Sequence, residues 1–349
     1  MKLRQFQHLL AKNKIDLAFF SHDDPAVYYF IGSEFTGGYL LITPHQAILF
    51  LSPLDHKPKK QGVIVRNLAP GWSAKYANST FQSIGINKAN LTVELLDRIK
   101  KIFPRAKVKD ISSSLEQLRL KKTKTELVLM VKACALTSAA FQALIKELPQ
   151  KRLKTEQDVA LFLEAFIRQR RGTIAFPTIV AVGKNSAIPH HLTSTTRLRC
   201  GFLQLDFGAR INGYCADMSR VLFLGKPTTE EKRLYHLLAD AQQAALDTVK
   251  SGISLKELDH IARMKLGKYA SYFNHALGHG IGIEVHEQPA FSDSHAVVMK
   301  DVPFTIEPGI YLPGKFGIRI EDTLVWNGKK REILTKAPKN FITIPFSRA

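Results

Sequence analysis

The 349 residues predict an α/β domain followed by an α+β domain. Three observations lead there. Over residues 1–120, short apolar runs alternate with helical patterns, as in a sheet layered with helices. Two long helical patterns then follow in succession, at 126–148 and 156–171. Beyond them, apolar β-like runs repeatedly end on a carboxylate or lie beside glycine-flanked histidines. With 45% hydrophobic residues, the chain has enough apolar content for a core in each half.

The first half begins with a helix at 4–15, with Phe6, Leu9 and Leu10 on one side, and a strand at 15–20. Further strands are expected at 39–43, 46–51 and 62–65, and a helix at 91–102 that Pro104 ends. Asp23 and Asp24 beside Pro25 favour a turn. No glycine-rich phosphate loop occurs here. The polar, basic stretch 112–124 is expected to link the halves, with the domains spanning 1–120 and 121–349. In the second half, helices are expected at 229–249 and 255–267, interrupted around Gly252. Strands are expected at 178–182, 202–206, 221–224, 304–307 and 318–321.

Charge and cysteine usage exclude more than they assign. The net charge of +20, from 50 Lys+Arg against 30 Asp+Glu, could attract nucleic acid or anionic surfaces. The bases are scattered, and no zinc finger or long basic tail organises them. A solvated basic surface is therefore read, with no specific nucleic-acid partner. Cys134, Cys200 and Cys215 match neither a zinc knuckle nor a disulfide framework, which suits thiols in a reducing compartment. No signal peptide or membrane span is read after Met1, so a cytoplasmic location is expected.

The chemistry concentrates in three segments. Asp206 ends one apolar run, and Asp217 follows after a turn at Asn212-Gly213, the strongest short-range hairpin signal. The two carboxylates can face each other across that hairpin, where without a cation they would repel. Judged singly, either could be a surface turn residue. The second segment holds His275, His279 and His286, interleaved with Gly278, Gly280 and Gly282. One histidine suits a metal ligand and two suit handling of protons or substrate oxygens. In the third, Glu307 and Glu321 end β-like runs, with Pro-Gly turns between them. Burying either glutamate is costly without a partner. Four carboxylates and an imidazole form a hard donor set suited to two divalent cations and to hydrolysis. Arg319, two residues before Glu321, could neutralise a carboxylate or bind substrate.

At these residues the chain resembles the metal-dependent Xaa-Pro peptidases of the creatinase, prolidase and methionine aminopeptidase superfamily. The resemblance covers essentially the whole chain and is most specific in the catalytic half. It implies a creatinase-like N-terminal α/β domain ahead of a pita-bread catalytic domain. It also implies metal ligands at Asp206, Asp217, His279, Glu307 and Glu321, with Asp217 and Glu321 bridging two cations. His190 of the Ile188-Pro189-His190-His191 run, His275 and His286 would line the substrate pocket. Glu307 would shuttle the proton and His286 would help stabilise the oxyanion. The implied reaction is hydrolysis of an N-terminal Xaa-Pro bond by a water or hydroxide bridging the cations. The expected enzyme is an Xaa-Pro aminopeptidase, with an Xaa-Pro dipeptidase as the alternative. A methionine aminopeptidase and a non-catalytic binding protein are less favoured. Peptides with proline second are the expected partners, and a homodimer is the expected assembly. Manganese is the expected metal, with cobalt, zinc or iron as alternatives. The chain departs from the family pattern at Phe202, where an acid is usual, and between Gly201 and Asp206, one residue short. It departs again at Lys300-Asp301-Val302-Pro303, where a glycine-methionine turn is usual.

Overall fold

The computed structural model describes residues 2–76 and 79–346. The chain divides into two compact units, Met1–Arg119 and Leu120–Ala349.

The first unit is built on six strands: β1 (Leu17–Ser21), β2 (Gly38–Ile42), β3 (Ala47–Leu51), β4 (Ile64–Asn67), β5 (Ser83–Ile86) and β6 (Lys107–Asp110). They form one mixed sheet in the order β4-β3-β2-β1-β5-β6. Helices α1 (Lys2–Lys12), α2 (Pro25–Ile31), α3 (Val93–Ile102) and α4 (Ser112–Leu120) complete the α/β unit. Phe6 and Leu10 of α1 are fully buried. The turn expected at Asp23 and Asp24 is present, with the Asp24 N–H donating to the Ser21 carbonyl at 3.1 Å. Pro25 then opens α2, where its missing N–H costs nothing, and Asp24 caps the helix by accepting from the Ala26 N–H at 2.8 Å. One expectation needs correction: the stretch expected to be a polar link is helical over Ser112–Leu120. Leu115 and Arg119 are its buried positions, and Asp110 accepts the Ser112 N–H at 2.9 Å at its start. Strands β5 and β6 were not anticipated. Their parallel pairing to β1 and to each other is non-local, and β6 is mostly charged or exposed.

The second unit begins with α5 (Lys124–Glu147) and α6 (Glu156–Gln169). Both open on capping boxes, Thr123 with Glu126 and Thr155 with Asp158. By length and apolarity α5 could cross a bilayer. Here it buries Met130, Ala133, Phe141 and Leu144 inside the unit. Strands β7 (Thr173–Ile174), β8 (Ile179–Val182), β9 (Gly201–Phe207), β10 (Ala209–Ile211), β11 (Tyr214–Cys215) and β12 (Met218–Leu224) follow. Then come α7 (Thr229–Thr248) and α8 (Leu255–Leu266). The remaining strands are β13 (His279–Gly280), β14 (Glu287–Ala290), β15 (Pro303–Ile306), β16 (Gly309–Leu312), β17 (Phe316–Arg319), β18 (Asp322–Trp326), β19 (Arg331–Ile333) and β20 (Ile342–Ile344). Two sheets matter for function: β20-β12-β9-β8 and β14-β13-β15-β18-β19. One core cluster packs α5 and α6 on the first sheet; another packs α7 and α8 on the second.

The three departures from the family pattern have plain physical outcomes. Phe202 is buried, its ring 5.0 Å from that of Phe223 and 4.8 Å from that of Phe316. Strand β9 pairs with β12 without a slip from Gly201 to Phe207. Asp301 holds the turn before β15 at φ 61°, a left-handed conformation that aspartate tolerates better than most residues.

Candidate metal centre

The five acid and imidazole side chains are placed by strand ends. Asp206 lies near the end of β9, opposite Ser219 of β12. Asp217 stands just ahead of β12. Between them β10 and β11 turn at Asn212 and Gly213, which have φ of 44° and 76°, the two positive values that a type I′ turn requires. His279 opens β13, between β14 and β15. A Cβ on Gly278 would overlap the Thr305 carbonyl, and one on Gly280 the Gln288 carbonyl. Glycine on either side thus lets β13 sit close enough to carry the imidazole inward. Glu307 follows β15, and Glu321 separates β17 from β18.

These elements bring the set together. His279 Nε2 lies 3.5 Å from Asp217 Oδ2, 3.4 Å from Glu307 Oε1 and 4.0 Å from Glu321 Oε1. One ligand atom each from Asp217, His279 and Glu321 fall within 4.8 Å of one another. Asp206 is within hydrogen-bonding reach of Asp217. His279 Nδ1 lies 3.1 Å from the Gly280 carbonyl. A proton held there leaves Nε2 as the lone pair facing the acids, the tautomer a metal requires. Thr305 Oγ1 accepts from the His279 N–H at 3.1 Å and donates to Glu307 Oε1 at 3.3 Å. Ser219 donates to Glu321 Oε2 at 2.9 Å.

The donor chemistry fits a cation site. Asp206 Oδ1, Asp217 Oδ1 and Glu321 Oε1 are buried without a hydrogen-bond partner among the described residues. Burial pushes the Asp217 carboxyl well up from its ordinary value, and the charges of Asp206 and Glu307 add to it. Burial also raises Glu321, reinforced by Asp217, and Glu307, where His279 and Arg319 partly oppose it. Carboxylates left this short of donors are costly unless protonated or matched by positive charge. Hard oxygen donors with one imidazole match divalent cations.

Arg319, expected either to neutralise a carboxylate or to bind substrate, is 3% exposed and pairs with a carboxylate. Its Nη2 reaches Asp206 Oδ2 at 2.6 Å, its Nη1 the Tyr311 hydroxyl at 2.7 Å and its Nε the Ser219 hydroxyl at 2.8 Å. Tyr311 also meets His275 Nε2 at 2.8 Å. Because His275 Nδ1 lies 2.9 Å from the Ala276 carbonyl, the tyrosine hydroxyl is the donor to Nε2. A chain thus runs Asp206–Arg319–Tyr311–His275. Burial, with Arg319 nearby, holds the His275 imidazole down at about 4. Sequence reading missed Tyr311, although it stands within the Glu307 segment.

A cavity of about 560 Å³ opens onto the centre. His190, His275 and His286 line it, as expected, together with Asp206, Asp217, His279, Glu307 and Glu321. The His286 ring stacks edge-on to His279 with centroids 4.3 Å apart. Partial burial and the neighbouring His279 and His190 lower its pKa. Phe176, Leu192 and Val285 supply an apolar wall that sequence reading did not foresee. The loop bearing His190 is anchored by Glu156 at the start of α6. This buried carboxylate accepts from His191 Nε2 at 2.9 Å, the Val182 N–H at 2.9 Å, Asn185 Nδ2 at 2.9 Å and the Ser194 hydroxyl at 2.8 Å.

Comparison with known proteins agrees with this geometry. Residues 128–327 match metallopeptidase family M24, and residues 2–121 match the creatinase/prolidase N-terminal domain. An Xaa-Pro dipeptidase of Pyrococcus horikoshii is 34% identical over 98% of this chain and 98% of its own. One from Pyrococcus furiosus is 33% identical over 98% and 99%. The crystal structure of the Pyrococcus horikoshii prolidase superposes with a TM-score of 0.90 at 32% identity, covering 98% of this chain and 99% of that one. An X-Pro aminopeptidase from Thermotoga maritima superposes at 0.85 with 31% identity, covering 95% and 98%. These likenesses bear out the expected fold, an α/β domain ahead of an α+β pita-bread domain. The chain belongs to metallopeptidase family M24 and carries a creatinase/prolidase N-terminal domain in front of its peptidase domain.

Proposed function

We propose that this peptidase hydrolyses the bond between an N-terminal residue and a following proline, with Asp206, Asp217, His279, Glu307 and Glu321 holding two divalent cations. The observation that carries this reading is the trio of donor-less buried oxygens on Asp206, Asp217 and Glu321, gathered beside His279 in the floor of one cavity. Bound there, such cations supply Lewis-acid polarisation and activation of water.

The chain's own groups do the rest. Glu307 has its carboxylate in the cavity and its pKa raised by burial, so it suits accepting a proton and passing it to the leaving nitrogen. His286 stands beside His279 at the rim of the donor set, where a ring N–H can meet a carbonyl oxygen as negative charge develops. His275 is oriented by Tyr311, and His190 is carried by the loop that Glu156 anchors. Both face the cavity where the substrate's proline side would lie. Arg319 serves as counter-charge to Asp206, held by Asp206, Tyr311 and Ser219 at the cavity wall.

For substrate length, the cavity lining favours an aminopeptidase. Among the described lining residues, Arg319 is the one permanently charged cation, and it is committed to Asp206. A dipeptide's carboxylate would therefore meet no free lysine or arginine there. The dipeptidase reading rests on the relatives from Pyrococcus species that carry that name. An assay of an Xaa-Pro dipeptide, an Xaa-Pro-Xaa tripeptide and Met-Ala-Ser with several metals separates the readings. We expect the tripeptide to be cleaved fastest; cleavage of Met-Ala-Ser alone would sink the proline assignment.

The finer attributes rest on chemistry and resemblance. The carboxylate-rich donors favour manganese, with cobalt, zinc or iron as competitors. A homodimer and a cytoplasmic location complete the reading. Light scattering at micromolar concentration tests the dimer, and a monomer-sized particle would overturn it.

A further inference from the structure

A second cavity, of about 860 Å³, lies in the peptidase unit and is lined by none of the residues assigned to catalysis. Its floor is aliphatic, from Leu153, Leu198, Leu224 and Ile344, with Phe346 at one side. Four cationic side chains rim it: Lys151, Lys154, Arg197 and Arg199, all exposed. Among the described residues, none of the four makes an ion pair and no acid lines the cavity. The carboxylates of the same segment are taken: Glu147 pairs with Arg152 at 2.6 Å, and Asp158 accepts the backbone N–H groups of Lys154 and Thr155. The walls are braced. The Leu198 N–H donates to the Lys154 carbonyl at 2.8 Å, so the two cationic strips are tied together by backbone. On the far side the Gly225 N–H donates to the Ile344 carbonyl at 2.9 Å.

We propose that this cavity binds a small amphiphilic anion, an unbranched aliphatic carboxylate, with its chain on the leucine and isoleucine floor and its head group among the four cations. Apolar surface leaving water drives the chain inward, and the uncompensated rim selects the charge. A second copy of this chain, itself at +20, would bring like charge against the rim. A nucleic-acid backbone offers nothing for the aliphatic floor.

Cys200 provides a local reporter. It is half-buried on the cavity wall, whereas Cys134 and Cys215 are fully buried. The metal-loaded protein is labelled with neutral iodoacetamide, and each thiol is followed by peptide mass spectrometry. Dodecanoate, kept below micelle formation, is compared with dodecan-1-ol and with acetate. We expect dodecanoate to slow alkylation of Cys200 saturably, by about tenfold, with dodecan-1-ol and acetate far weaker. In the Lys154→Gln/Arg197→Gln variant, the half-protecting dodecanoate concentration should rise about tenfold, equivalent to roughly 1.4 kcal/mol. Absence of protection overturns the proposal. Equal protection by dodecan-1-ol, or by dodecanoate in the variant, overturns it as well, because the rim then selects nothing. New labelling at Cys134 or Cys215 means that the surfactant unfolds the chain and also counts against it.

Discussion

Glu321 and Asp322 are adjacent in sequence and both buried, yet they live in opposite electrostatic worlds. Asp322 accepts from Arg220 at 2.7 Å, Thr335 at 2.9 Å, Lys339 at 2.7 Å and Gln242 at 3.2 Å. Burial acts to raise its pKa, but Arg220 and Lys339 outweigh it and hold the carboxyl below its ordinary value. Glu321 has a hydroxyl on one oxygen and no donor on the other, and burial, reinforced by the like charges around it, raises its pKa. Burial alone therefore does not mark a functional acid. The supply of donors does: a carboxylate satisfied by its own chain is structural, and one left short is built for something the chain does not contain.

Breaking the unsatisfied side should have the largest effect. Glu321→Gln is expected to lower peptidase activity by roughly 10³-fold while the protein stays folded. Without metal, the same variant should be more stable than the parent, by about 1 kcal/mol, because one buried like charge is gone. A peptidase assay with manganese reads the first effect, and thermal unfolding without metal reads the second. Loss of stability in the metal-free variant would place Glu321 with Asp322 and erase the distinction.

On the satisfied side, Asp322→Ala leaves Arg220 buried without its partner and should cost roughly 3–5 kcal/mol in urea unfolding. A variant as stable as the parent would show that the four donors contribute little.

Glu156 extends the satisfied class to the loop that carries His190. Burial acts upward on its pKa, but hydrogen bonds from His191, Val182, Asn185 and Ser194 win, and the folded value lies below the ordinary 4.5. A carboxyl depressed by folding contributes stability above its unfolded pKa and loses it as pH falls through the folded value. Glu156→Gln should therefore cost roughly 1–3 kcal/mol at neutral pH, and the gap to the parent should shrink on acidification. A gap that widens as pH falls would reverse the sign and refute the assignment.

The smallest effect is expected between the two classes, at Tyr311. Tyr311→Phe removes the hydroxyl shared by Arg319 and His275 and should lower kcat/KM by roughly tenfold with metal stoichiometry unchanged. Unchanged kinetics would make the Asp206–Arg319–Tyr311–His275 chain incidental.

These contrasts also explain what could be read without the fold. The five donors were legible because each interrupts an apolar or glycine-rich run, where an unpaired charge is conspicuous. The β10–β11 turn was legible because Asn212-Gly213 encodes its own backbone angles. Helix α4 was not, since its polar composition looks like a linker and only Leu115 and Arg119 are buried. Helix α2 was missed because Pro25 breaks a helix interior but starts a helix well. Which of its two expected roles Arg319 takes was hidden for another reason. Its partner Asp206 is 113 residues away, and whether an arginine is free or committed depends on contacts that only folding creates.

The most direct test of the donor-supply argument is anomalous X-ray diffraction from crystals grown with manganese. Two cation peaks should appear among Asp206, Asp217, His279, Glu307 and Glu321, touching the oxygens that the chain leaves without donors. Crystals showing no anomalous density there, with the five side chains turned apart, would contradict it.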